Sequence, residues 1–280
     1  MLNWSLRLFR VFGIQLSVHS TFFILLAYVA WEGWRDAVAE QLAHPALSAL
    51  INVVALGVFF TCVVLHELGH ALTARRFGVG VPRILLLPIG GMAEFDSIPR
   101  KPSQELSIAL AGPAVNFVIV GVLLLFVPFP GEQISLLVRS IFSSHVYGDL
   151  SMSLLQELLA LNFIMGVFNL VPVFPMDGGR VLRALLATRM DYLRATFYAA
   201  SIAKVLAGTA IVAAVFNGHV QVAVLFGFIF FAGEMELRAV KRRERDVAHR
   251  RQRLAELHVV NTHPLVPPPL PLRDYSDDPR

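Results

Sequence analysis

The feature that most constrains this chain is its division into long apolar blocks, each close to the length that crosses a bilayer. A spanning helix needs about 20 mostly apolar residues. Six stretches meet or approach that length: Ile14–Trp31, Leu47–Leu68, Leu106–Val127, Ser153–Val171, Ala195–Phe216 and Val220–Ala232, the last extensible to Leu237. Of the 280 residues 56% are hydrophobic and 16% are charged, against roughly 25% charged in a soluble domain. The sequence therefore predicts an all-α integral membrane protein with six transmembrane helices.

The connections alternate in charge. Arg7 and Arg10 precede the first stretch; Arg75, Arg76, Arg83, Arg100 and Lys101 follow the second; Arg180, Arg183, Arg189 and Arg194 follow the fourth; Arg238, Lys241, Arg242 and Arg243 follow the sixth. The other three connections carry little positive charge: Arg35 lies among Glu32, Asp36 and Glu40, Arg139 near Glu132 and Asp149, and the last holds only Asn217, Gly218 and His219. By the positive-inside rule both termini are cytoplasmic. Topology accounts for the net charge of +4, so no nucleic-acid partner is expected. The preference for Arg over Lys points to a prokaryotic plasma membrane. Cys62 is the single cysteine, which excludes an internal disulfide. No small-residue cleavage site follows the first apolar run, so no cleavable signal peptide is expected. A membrane domain over 1–240 gives way to a basic and then Pro-rich cytoplasmic tail over 241–280. Nothing in the sequence specifies an oligomeric state.

Three ionisable residues interrupt the second block: His66, Glu67 and His70, in HELGH. Histidines four apart lie on one helical face, one turn apart. That geometry lets two imidazoles share a metal ion with Glu67 beside them to act on a water. Burying such groups in a bilayer costs at least about 2.5–3.5 kcal/mol for a charged carboxylate, which a bound zinc ion would offset. A catalytic zinc takes three protein ligands and leaves a fourth position open. Asp177, Glu94, Asp96, Glu157 and His19 are the candidates for the third. The second and fourth stretches both run inward, and His66, His70 and Asp177 all fall near their inner ends. Glu157 falls at the outer end. Depth therefore selects Asp177. Around it, Pro172 and Pro175 interrupt helical hydrogen bonding, and Gly178 and Gly179 permit unusual backbone angles. Irregular backbone at membrane depth is tolerated where it is buried in protein or lines a watery cavity. The competing role for Asp177 is as the cap of the helix that begins at the glycines.

HELGH, together with Asn169-Leu170-Val171-Pro172 and Asp177-Gly178-Gly179, resembles the site-2 protease family of intramembrane zinc metalloproteases. LLPIGGMAEF (Leu86–Phe95) resembles the family's Gly-Gly membrane-inserted loop, and AGPAVN (Ala111–Asn116) its third-helix motif. The resemblance implies a short membrane-inserted hairpin near residues 84–96. It implies His66, His70 and Asp177 as ligands of one zinc ion and Glu67 as catalytic base. It also implies a polar, oxyanion-stabilising role for Asn169, whose alternative is an interhelical hydrogen bond. Gly90 and Gly91 are assigned either to close approach of an unwound substrate or to the turn itself. The expected activity is hydrolysis of peptide bonds within the membrane segment of a single-pass membrane protein. The reading from another class is a metal transporter or non-proteolytic metal-binding membrane protein, which would string ionisable groups along the whole path across the bilayer.

Overall fold

The computed structural model describes residues 4–97, 101–132, 134–135 and 154–262. Arg100, the connection carrying Arg139 and Asp149, and the Pro-rich segment from His263 lie outside the described residues. The chain divides into two compact units, Met1–Leu237 and Arg238–Arg280. Seven helices are described: α1 Thr21–Ala39, α2 Pro45–Arg76, α3 Pro102–Leu123, α4 Leu154–Asn169, α5 Asp177–Ala187, α6 Tyr192–Phe216 and α7 Val220–Thr262. Four strands accompany them: β1 Ser5–Val11, β2 Ile14–His19, β3 Arg83–Leu87 and β4 Gly90–Glu94.

The all-α expectation is thus corrected to a mostly helical fold with one small sheet. The sheet has the order β1-β2-β3-β4, with β2 parallel to β3 and both hairpins antiparallel. The first hairpin turns at Phe12 and Gly13, whose φ angles of 50° and 79° suit a tight two-residue turn. The first apolar stretch is therefore not one helix. Its opening residues form β2, in which Ile14, Leu16 and Val18 pack into the core with α2 and alternate with Gln15, Ser17 and His19. α1 then carries Glu32, Arg35 and Asp36, with Arg35 paired to Asp36 at 2.8 Å.

Among the described residues, α2, α3 and α6 are long and apolar enough to cross a membrane, and α4 is apolar but shorter. Prolines at the first helical turn open α2 (Pro45) and α3 (Pro102), where a missing N–H costs no hydrogen bond. Arg75 and Arg76 close α2, where cations favour the negative end of the helix dipole. Packing is of the membrane type. Large apolar side chains such as Ile51, Val118 and Val205 face outward, while Ala195, Ala199, Ala203 and Ala207 form a buried stripe on α6. Small residues let helices approach closely where lipid supplies no hydrophobic drive.

Two packing surfaces place the site. Ile14, Leu16 and Val18 of β2 and Ile84 and Leu86 of β3 form a core with Phe60, Val63, Leu68, Ala71 and Ala74 of α2. That core lays the sheet along α2 and puts its edge strand β4 against the helix at Glu67. On another side, α2 packs against α3, which also meets α4 and α5.

Candidate active site

His66 and His70 project from α2, and their Nε2 atoms lie 3.1 Å apart. Asp177, the first residue of α5, places Oδ2 3.3 Å from His66 Nε2 and 3.1 Å from His70 Nε2. All three side chains are buried, and among the described residues no other group of His, Cys, Asp or Glu converges in this way. Asp177 does not act as a helix cap: the N-cap of α5 is Met176, and no side chain caps its amides.

A hydrogen-bond chain fixes the tautomers. Asn162 Nδ2 donates to the Leu158 carbonyl at 2.8 Å, so Asn162 Oδ1 must accept, and it does so from Asn116 Nδ2 at 3.0 Å. That leaves Asn116 Oδ1 to accept from His66 Nδ1–H at 2.5 Å. His70 Nδ1–H likewise donates to the Ile108 carbonyl at 2.7 Å. With both imidazoles neutral, each Nε2 then carries a lone pair and no proton. Two nitrogen lone pairs and a carboxylate oxygen face one another across about 3 Å with no hydrogen between them. Such a cluster of acceptors in a buried site needs positive charge between them, from a proton or a metal ion.

The donor set and spacing fit zinc. Tetrahedral ligands bonded at 2.0–2.1 Å stand about 3.3 Å from one another, close to the 3.1–3.3 Å edges of this triangle. Space is kept for the ion by Gly112 of α3. A Cβ there would lie 2.2 Å from His70 Nε2 and 2.7 Å from His66 Nε2.

Glu67 is half-buried beside the triangle, and its Oε2 accepts the Ala93 N–H of β4 at 3.0 Å. The two glycines of the hairpin differ in their surroundings. Gly90, at φ 138° with open space around it, makes the turn. Gly91 permits close approach, since a Cβ there would come within 2.6 Å of Glu67 Cγ. Gly178 and Gly179 are likewise sites of close approach and not of unusual backbone angles. Added Cβ atoms would lie 2.1 Å from the Val171 carbonyl oxygen and 2.7 Å from the Phe174 nitrogen.

Other candidates go elsewhere. Glu94 pairs with Arg83 at 2.7 Å, His19 Nδ1 hydrogen-bonds with Thr21 Oγ1 at 2.8 Å, and Glu157 lines a separate cavity with Glu32 and Asp36. Cys62 is buried and free. Asn169 ends α4 half-buried, and among the described residues its side chain makes no hydrogen bond. Two features escaped the sequence reading. One is Asn162, whose amide in an apolar helix was the available signal. The other is an ion network in which Arg183 of α5 meets Glu105 of α3 and Glu236 of α7. Burial works against the Arg183 charge, but Glu105, Tyr192 and Glu236 hold it above its ordinary range.

A family model described as peptidase family M50 matches residues 54–213. Zinc metalloprotease MJ0392 of Methanocaldococcus jannaschii is 37% identical over 244 residues, covering 86% of this chain and 62% of that protein. Putative zinc metalloprotease sll0528 of Synechocystis is 31% identical over 185 residues, covering 66% and 45%. The chain thus spans less than two thirds of the length of these curated relatives. The solved structure of a site-2 protease from Methanocaldococcus jannaschii superposes with a TM-score of 0.53 at 35% identity, covering 84% of this chain and 95% of that one.

Proposed function

The chain belongs to peptidase family M50, the site-2 proteases, and from that premise we propose that it is an intramembrane zinc endopeptidase cutting within the membrane segment of a single-pass protein. The observation that carries this reading is the buried triangle of His66 Nε2, His70 Nε2 and Asp177 Oδ2 with Glu67 at its side. The proposed ligands of one zinc ion are His66, His70 and Asp177. When bound, zinc supplies Lewis acidity toward a water and a peptide carbonyl.

The chain's own groups carry the remaining chemistry. Glu67 takes a proton from the attacking water and delivers it to the leaving amine nitrogen. The Ala93 N–H on one carboxylate oxygen orients the group and leaves the other oxygen for that transfer. Asn169, whose amide is uncommitted among the described residues, donates a hydrogen bond to the oxyanion as the carbonyl is attacked. β4 ends the sheet, so its outer edge, where Glu67 already takes the Ala93 N–H, is the one an unwound substrate strand would join, with Gly90 and Gly91 keeping the start of that edge free of side chains. Six spans with both termini cytoplasmic, in a prokaryotic plasma membrane, follow from the alternation of basic connections. They put the cut near the cytoplasmic face.

The test compares wild type, Glu67→Gln and Asp177→Ala for zinc content and for cleavage of single-pass substrates in bilayers. Glu67→Gln is expected to keep zinc and lose cleavage about 10²–10⁴-fold, and Asp177→Ala to lose both. A Glu67→Gln protein that cleaves normally sinks the proposal. Zinc movement across the bilayer that survives Glu67→Gln identifies a transporter instead.

A further inference from the structure

α5 presents a mechanical problem. It has eleven residues, too few to span a membrane, and its first residue is Asp177. The histidines are set by a long helix with extensive packing, whereas the carboxylate must be brought to them by this short segment. Arg183 lies six residues further along α5 and is 1% exposed, the largest fully buried side chain among the described residues. Its Nε donates to Glu105 Oε1 at 2.8 Å, its second terminal nitrogen meets the same oxygen at 2.6 Å, and its Nη1 donates to Glu236 Oε1 at 2.6 Å. The guanidinium carbon stands 5.2 Å from the Phe174 ring and 5.1 Å from the Tyr192 ring. Phe174 belongs to the segment that leads into Asp177.

Glu105 has further significance through its place on α3. Glu105, Ile108, Gly112 and Asn116 are spaced three, four and four residues apart, so they form one stripe along a single face of the helix. Asn116 supports His66, Ile108 supports His70, and Gly112 keeps the space between the imidazoles. Glu105 completes the stripe by holding the helix that carries Asp177.

We propose that Arg183 is a positioning residue for the third metal ligand, tying α5 through Glu105 to the same stripe of α3 that sets both histidines. The inference rests on the proposed function in taking the triangle as a zinc site. It adds that ligand geometry is set by one face of α3, and that the Glu105–Arg183 pair is the link through which Asp177 is referred to that face. Asp177 and Arg183 sit six residues apart on α5: Asp177 is part of the site, and Arg183 makes its contacts with Glu105 and Glu236 away from it.

The experiment measures zinc affinity of the full-length protein by chelator competition, and the visible absorption of its cobalt form. It uses wild type, Arg183→Met, Arg183→Lys and the double variant Glu105→Gln/Arg183→Met. Arg183→Met is expected to weaken zinc binding 10–100-fold, as loss of an outer support does, and to change the cobalt bands. Arg183→Met leaves a buried carboxylate unpaired, so its fold is at risk. The double variant removes the two fully buried charges, leaves the partly exposed Glu236 to solvent, and is expected to restore thermal stability. A purely structural role predicts that zinc affinity returns with stability in the double variant; positioning predicts that it stays 10–100-fold weak. Arg183→Lys keeps the charge without the planar fork and is expected to fall between the two. Wild-type affinity and cobalt bands in the double variant overturn the inference while leaving the proposed function standing. A wild-type protein that binds no zinc overturns the function itself.

Discussion

Gly112→Ala tests whether α3 lies against the metal triangle as described. The substitution adds one methyl at a helical position, where alanine is intrinsically favoured over glycine by about 0.5–1 kcal/mol. Backbone preference therefore cannot explain a loss. The added Cβ would stand 2.2 Å from His70 Nε2, 2.5 Å from His70 Cε1 and 2.7 Å from His66 Nε2. Non-bonded contact requires about 3.5 Å, so the His70 ring must move by more than about 1 Å. Metal–ligand distances tolerate only about 0.2 Å. At least one nitrogen bond is then lost. Sharing the roughly 10–16 kcal/mol of a four-ligand zinc site evenly gives about 2.5–4 kcal/mol per ligand, a loss of affinity on the order of 10²- to 10³-fold. Gly121, on the same helix, has nothing within 4 Å of an added Cβ, so Gly121→Ala is the matched control and should bind zinc as wild type does. Chelator competition with metal analysis of the purified protein gives the readout. Wild-type zinc affinity in Gly112→Ala would refute the placement of α3 against the imidazoles.

The remaining predictions address the supports of the site. Asn116→Ala removes the acceptor that holds His66 Nδ1–H, and zinc affinity should fall 10–100-fold in the same competition assay. Gly91→Ala sets a Cβ 2.6 Å from Glu67 Cγ. It should lower the turnover number in a cleavage assay while metal analysis still finds one zinc per chain.

The meeting of His66, His70 and Asp177 was legible because helical spacing is stiff: the two histidines must share a face, and membrane depth left one carboxylate at their level. What holds the triangle was not legible. Arg183 was one of several arginines in a basic connection, and nothing in sequence distinguishes a buried guanidinium from one that marks topology. Glu105 and Arg183 are 78 positions apart, beyond any local periodicity. The roles of Gly178 and Gly179 were misread for a similar reason, since close approach depends on the neighbouring backbone and unusual dihedrals do not. β2 was mistaken for the start of a span because only Ser20 separates it from the apolar run of α1, although Ile14, Leu16 and Val18 alternate with Gln15, Ser17 and His19 as in a half-buried strand. Its partner β3 lies beyond both α1 and α2, so no turn signal joined them.

That last pairing fixes an order of events during synthesis. β2 leaves the ribosome before α1 and α2, but β3, its parallel neighbour, follows them. One edge of the nascent β1–β2 hairpin therefore waits, unpaired, while α1 and α2 are made. Only when residues 83–94 emerge can the sheet close and β4 reach Glu67. Pairing across so long an intervening segment is slow compared with helix formation. The contact that orients the proposed base accordingly waits for the histidine-bearing helix to be made, yet can form before α5 brings Asp177 to the histidines.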